Sequence, residues 1–261
     1  MNQSQLDLEA FRNFERNTHD KLAESYYDAF SAVTNSAIEP LLKAAHVGNG
    51  TRLLDVATGP GTLAAMAAER GARVIGIDIA PAMIELAHTL YPHLDFREGS
   101  AEELALDSSS FDAVISGFGA GHFSRPERVL AEFARVLVPK GRVALSWWDG
   151  FGKIRINGIF FEAINELGIS APGALPAGPA VDRFSDPNEF AEVLRAAGFE
   201  VAGIDSAMSA IASTRRRATS SSAFLRRFLE ACAQGRHRLC RQRPIHNCTA
   251  ARMQWRIGLE D

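Results

Sequence analysis

Asp55 closes a short apolar run, Arg52-Leu-Leu-Asp-Val-Ala57, and the turn Thr58-Gly59-Pro60-Gly61 follows at once. Glycines let a backbone bend sharply and approach a ligand closely, and a helix opening after them offers unpaired N–H groups. Gly59-x-Gly61-x-x-Ala64 also satisfies the G-x-G-x-x-G/A fingerprint for a bound diphosphate, which is a weak signal alone. Asp55 decides between ligands. Two like charges about 4 Å apart cost roughly 1 kcal/mol in water and about 4 at an effective dielectric of 20. A diphosphate beside Asp55 would pay that, whereas a ligand carrying an ammonium and a sulfonium would gain it. A helix-capping role for Asp55 is set aside because the residue stands upstream of the helix. The turn is read as a seat for a cation.

Asp78 ends a second apolar run, Val74-Ile-Gly-Ile-Asp, 19 residues beyond Gly59. A carboxylate at that place accepts the two hydroxyls of a ribose, with capping of the helix that starts near Pro81 as the plain alternative. Ile79 and Met83 would flank a base as apolar contacts or simply fill the core. Gly99-Ser100-Ala101-Glu102 could read the base edge through a backbone N–H and a side-chain acceptor from Ser100 or Glu102. The loop Gly117-Phe118-Gly119-Ala120-Gly121-His122 follows a buried run and carries one titratable group. With an ordinary pKa of about 6.5, His122 could serve as a general base, or it could merely order its loop. Tyr26, or Tyr27 beside it, is the second candidate base. Trp147 and Trp148 offer an aromatic wall or core packing.

These residues need a scaffold that brings strand ends to one rim. Strands are expected at 52–57, 72–78, 94–99, 111–117, 142–148 and 200–205, with helices at 62–70, 81–90, 126–137 and 186–199 between them. Asp186 is the expected N-cap of the last helix. Pro139-Lys140-Gly141 reads as the stop before the fifth strand. Short buried strands alternating with amphipathic helices give an α/β fold, a doubly wound parallel sheet with helices on both faces. The first 50 residues read as helices, with Leu6, Phe11, Phe14, Leu22, Tyr26, Phe30 and Val33 at helical spacing and a stop at Gly48-Asn49-Gly50. Residues 158–168 suggest another helix, and 171–180 a Pro/Gly-rich loop.

At 261 residues the chain can bury one α/β core with room for a cap. No run approaches the roughly 20 apolar residues of a membrane span, and the polar N-terminus lacks the apolar centre of a signal peptide, so a cytoplasmic location is expected. Residues 1–210 carry a net charge of −11, which argues against phosphate-tracking nucleic-acid binding. Residues 211–261 carry +8, with 11 Arg, no Lys and all three cysteines, Cys232, Cys240 and Cys248. With His237 and His246 these cysteines form no paired C-x2-C knuckle, and no metal ligation is expected.

Read in order, LLDVATGPG, VIGIDIAPAMIELA, FREGSAEELAL, FDAVISGFGAGHF and VLAEFARVLVPKGRVALSWW resemble the motifs of class I S-adenosylmethionine-dependent methyltransferases. The chain is most similar to the ubiquinone/menaquinone-biosynthesis-like branch with its methyltransferase-11-type domain, over about residues 20–210. The resemblance implies a Rossmann-like, mostly parallel seven-stranded sheet ordered 3-2-1-4-5-7-6 with an N-terminal helical cap. It implies S-adenosyl-L-methionine as cofactor, with Gly59 and Gly61 along the methionyl part, Asp78 on the ribose and Ser100-Ala101 near the adenine. Ala57 replaces the first glycine that many members carry. The fourth strand lacks an Asn/Asp-Pro-Pro-Tyr signature, which speaks against amino-methylation of bases or glutamine. The expected organisation is a helical cap at 1–48, a catalytic domain at 49–210 and an atypical Arg/Cys-rich segment at 211–261. That segment departs from the family pattern, as a divergent terminus or a shifted reading frame, although 251–259 could supply a seventh strand. The expected partner is a small-molecule methyl acceptor bound through oxygen, carbon or nitrogen. The rivals are a nicotinamide-dependent oxidoreductase using Gly59-x-Gly61-x-x-Ala64 and a non-catalytic cofactor-binding protein.

Overall fold

The computed structural model describes residues 7–149, 176–180 and 183–205, apart from the side chains at positions 24, 28–30 and 32. The expected helix at 158–168, the possible strand at 251–259, the atypical segment and Leu6 lie outside the described residues.

The chain opens with one 27-residue helix, α1 (Leu8–Thr34), capped by Asp7, whose side chain accepts from the Ala10 N–H. A 3-10 turn (Asn35–Ala37) leads into α2 (Ile38–Ala44). This helix stops earlier than the glycines suggest, because His46 takes a positive φ of 54° and ends the turn. Alternation then sets in as expected. The elements are β1 (Arg52–Val56), α3 (Thr62–Glu69), β2 (Arg73–Asp78), α4 (Pro81–Leu90), β3 (Asp95–Glu98), β4 (Phe111–Gly117), α5 (Pro126–Val136), β5 (Leu137–Ser146) and α6 (Pro187–Ala196).

The described strands form one parallel sheet of five, ordered β3-β2-β1-β4-β5. That matches the first five places of the expected order. The sixth strand does not form: residues 200–205 are described and carry no strand pairing. The fifth strand also starts earlier than expected, directly from α5. Leu137 pairs with Phe111 and Arg142 with Ala113, so an irregularity absorbs three extra residues at Val138-Pro139-Lys140-Gly141. Lys140 takes a φ of 67° there, and Pro139, having no N–H, fits a bulge and would break a regular ladder.

Side chains alternate across the sheet and build a core on each face. Leu53, Ala113 and Ile115 pack with Leu42 of α2, Leu63 and Ala67 of α3 and Ile84 of α4. Leu54, Val56 and Val114 pack on the opposite face with Val129 and Phe133 of α5 and with Phe190 and Val193 of α6. The helix period thus places α5 and α6 by their apolar stripes. Phe11 is buried as expected, whereas Leu22 is 47% exposed and is not core. No described helix is long and apolar enough to cross a membrane.

Asp186 caps α6 by accepting from the Asn188 N–H at 2.8 Å. Replacing it with Ala should lower stability by about 1 kcal/mol, readable as a small drop in the thermal midpoint.

Candidate active site

The parallel order sends the carboxyl ends of β1, β2, β3 and β4 to one rim, and α1 lies along it. Two adjoining cavities open there, sharing Tyr26, Ala57, Gly59, Gly117 and Phe118.

The first cavity is built around Asp78, at the end of β2. Its Oδ2 accepts from the Gly59 N–H and its Oδ1 from the Ala80 N–H, both at 2.9 Å. The ribose and capping alternatives are therefore not exclusive. Each carboxylate oxygen has about two acceptor sites, so each keeps one for a hydroxyl of a bound ligand. Burial pushes the Asp78 pKa up, the two N–H groups pull it back, and His19 and His122 help to hold it down. Ile79, Met83, Ser100 and Ala101 line the same cavity.

Glu102 also faces this cavity, but its carboxylate is committed. It accepts from the Ser124 hydroxyl, from the Arg125 N–H at 3.1 Å and from the Arg125 guanidinium at 2.9 Å, with Arg12 at 3.8 Å. Burial pushes its pKa up, but these donors outweigh burial and hold it below the usual carboxylate range. Glu102 thus fastens the loop through Ser124 and Arg125. Ser100 Oγ itself accepts from the Glu102 N–H at 3.2 Å.

Asp55 lines the second cavity with Thr58, Pro60 and Thr62. It is 1% exposed, and its Oδ2 accepts from the Thr58 hydroxyl at 2.6 Å. Burial raises its pKa to about 7, against the lowering effects of the Thr58 hydroxyl and the Ala64 amide, while Asp78 adds to the rise. Ala64 stands in the first turn of α3, so the capping role set aside on sequence grounds is partly real. The Thr62 hydroxyl in this lobe is buried without a protein partner. A half-neutralised buried acid and an orphaned hydroxyl fit a ligand that brings a cation and polar groups of its own.

Gly61 is a correction. It lines neither cavity; a Cβ there would sit 2.5 Å from the Phe96 ring and 3.2 Å from the Ala87 Cβ. With φ at 82° it turns the chain into α3 and admits close packing of the helix on the sheet. Ala57 (φ 56°) and Phe118 (φ 60°) occupy the left-handed region without being glycine. Such residues cost of order 1–3 kcal/mol each and collect at functional sites. Here both line both cavities, at the ends of adjacent strands.

The roof over the first cavity comes from α1. Arg12, Glu15, His19 and Tyr26 recur at helical spacing and all reach the cavity. Sequence reasoning followed only the apolar stripe of this segment and missed Glu15 and His19; their i, i+4 spacing was the available signal. His122 Nδ1 lies 2.8 Å from Glu15 Oε2, and the His122 ring meets His19 edge-on at 4.8 Å and Trp147 at 5.3 Å. His122 is therefore both the cavity's titratable group and an ordered member of its loop. A Cβ on Gly121 would overlap the Trp147 indole, so that wall depends on glycine. Trp148 stacks on Phe118 at 4.3 Å. Tyr26 fits the base role poorly, because burial and then the Asp78 charge raise its pKa and keep it a phenol.

Comparison with known proteins joins this geometry to a family. The methyltransferase domain family matches residues 54–145, a stretch that begins within β1 and ends within β5. The demethylmenaquinone methyltransferase of Deinococcus radiodurans is 34% identical over 163 residues, covering 57% of this chain and 67% of that protein. The chain belongs to the class I S-adenosylmethionine-dependent methyltransferases, in their ubiquinone/menaquinone-biosynthesis-like branch. The demethylmenaquinone methyltransferase of Chlorobaculum tepidum is 46% identical over 91 residues, but that match spans 34% of this chain and only 38% of the relative. A solved S-adenosylmethionine-dependent methyltransferase of Thermotoga maritima shares the fold, with a TM-score of 0.51 and 22% identity over 70% of this chain and 80% of its own.

Proposed function

We propose that the chain transfers a methyl group from S-adenosylmethionine to an oxygen, carbon or nitrogen of a small molecule, with residues 1–48 as the roof of the site. One observation carries this reading: two buried carboxylates, Asp55 and Asp78, serve adjoining lobes joined at Ala57 and Gly59. A dinucleotide would bring its diphosphate against the Asp55 acid, whereas a cationic amino-acid end is attracted to it.

The bound cofactor supplies an electrophilic methyl on sulfur. The chain's own task is to position and to exclude water, since alignment of reacting atoms supplies much of the rate in such transfers. Asp78 would hold the nucleoside end of the cofactor and Asp55 its amino-acid end, across the wall that Phe118 and Tyr26 give to both cavities. The α1 roof and Trp147 bound the space left for an acceptor. A proton released by the acceptor has a receiver in His122, whose orientation Glu15 sets through the 2.8 Å contact.

Isothermal titration separates the readings. S-adenosylhomocysteine should bind and NADH should not. Saturable NADH binding without S-adenosylhomocysteine binding would establish the oxidoreductase in its place, and cofactor binding with no turnover across phenols, quinols and amines would favour a non-catalytic binder.

A further inference from the structure

Three side chains from two distant segments converge in the roof: Glu15 and His19 on α1, and His122 in the 3-10 turn after β4. Their ligand-type atoms all lie within 4.8 Å of one another. Glu15 Oε2 is 2.8 Å from His122 Nδ1 and 3.6 Å from His19 Nδ1. Two imidazoles and a carboxylate form the donor set of zinc sites that keep a coordination position open, and bonds of about 2.0–2.1 Å in a tetrahedron put neighbouring ligand atoms about 3.3 Å apart. The two separations from Glu15 bracket that value, and the two histidine nitrogens lie within 4.8 Å of each other. His19 Nδ1 also lies 2.9 Å from the Glu15 carbonyl oxygen. Ligation through Nδ1 requires the ring to give up that contact, whereas a proton kept on Nδ1 leaves Nε2 as the ligating nitrogen.

The surrounding charges favour a cation. Asp78 lies near enough to interact with both imidazoles. The neighbouring cations on α1 are directed elsewhere, Arg16 to Glu98 at 2.6 Å and Arg12 toward Glu102 at 3.8 Å. All three candidate ligands also line the Asp78 cavity, so a free coordination position has somewhere to face.

We propose that Glu15, His19 and His122 bind a divalent cation of the zinc class, with one coordination position turned toward the cavity. The metal site rests on these side chains alone; only the further step, that an acceptor oxygen or nitrogen occupies the open position, rests on the methyltransferase reading. Occupancy takes up the His122 lone pair that otherwise receives a proton. A hydroxyl held at the cation then loses its proton to solvent more readily, because the metal charge stabilises the oxyanion.

The test uses the full chain, stripped with a chelator and titrated with Zn2+ by calorimetry and with Co2+ by visible absorption. We expect one equivalent bound at this site, with Co2+ bands of nitrogen and oxygen ligation and no sulfur charge-transfer band of the kind Cys232, Cys240 or Cys248 would give. His19→Ala and His122→Ala should each weaken Zn2+ binding by at least the roughly 10–100-fold that even outer hydrogen-bond partners are worth. Circular dichroism melts report whether these variants fold, and the isosteric Glu15→Gln, which keeps a hydrogen bond and loses the charge, gives the same readout if either does not. Absence of Zn2+ binding, or binding that survives the substitutions, overturns the proposal. S-adenosylhomocysteine titrated alongside tests the methyltransferase reading separately: its loss with Zn2+ binding intact would sink that reading and leave the metal site standing.

Discussion

Replacing Asp78 with Ala should weaken S-adenosylhomocysteine binding about 100-fold and lower folding stability by about 3 kcal/mol. The two losses have one cause. Asp78 holds the Gly59 and Ala80 amides while keeping an acceptor site on each oxygen for a ligand. Hydrogen bonds to a charged group contribute about 1.5–3 kcal/mol each, and truncation leaves two inward N–H groups without that partner. Asp78→Asn separates the effects: its carbonyl still accepts one amide, so it should recover part of the stability and little of the affinity. Calorimetry and thermal unfolding read the two quantities, and affinity unchanged in both variants would place the ligand elsewhere.

The ligand-free chain should lose stability as pH rises from about 4 to about 7, and Asp55→Asn should abolish much of that loss. Asp55 titrates near pH 7 in the folded protein and ordinarily near 3.8. Between those values the folded state keeps a proton that the unfolded chain has released, so the contribution is fully present below about pH 4 and disappears as pH passes 7. About three pH units at 1.36 kcal/mol each give roughly 4 kcal/mol. Glu102, Glu127, Glu132 and Asp112 have lowered pKa values and act in the opposite sense at acid pH. The difference between parent and Asp55→Asn in urea unfolding at about pH 5 and about pH 8 reads Asp55 together with its coupling to Asp78, whose pKa burial also raises. Cofactor affinity should run the other way, rising with pH in the parent as Asp55 ionises and staying flat in the variant. A parent curve that parallels the variant would mean that Asp55 is not buried as a neutral acid.

The alternation of apolar runs and amphipathic helices made β1 to β4 and the helices between them legible, because β1 and β4 are buried on both faces and each helix on one stripe. Asp55 and Asp78 were legible for a related reason, since a charged residue at the end of a buried run has to be explained by something outside the run. What failed was local backbone geometry. Pro139-Lys140-Gly141 signals a stop in isolation, yet β4 beside it recruits the segment into a bulged strand. Gly61 carries the fingerprint of a ligand contact, but Phe96, 35 positions away, uses the missing side chain. Glu15 and His19 were hidden because a polar pair on an exposed helix looks like solvated surface until His122 is brought opposite.

The contacts of α1 with the rim also bear on how such a protein can change. Arg16 to Glu98, Asp20 to the Ala82 amide and Glu15 to His122 all originate in a segment that precedes the first strand. The stretch that matches the methyltransferase domain family comes later in the chain, between residues 54 and 145. If α1 roofs the acceptor space as proposed, exchanging that one leading helix would change which acceptors fit while the matched domain behind it stays the same.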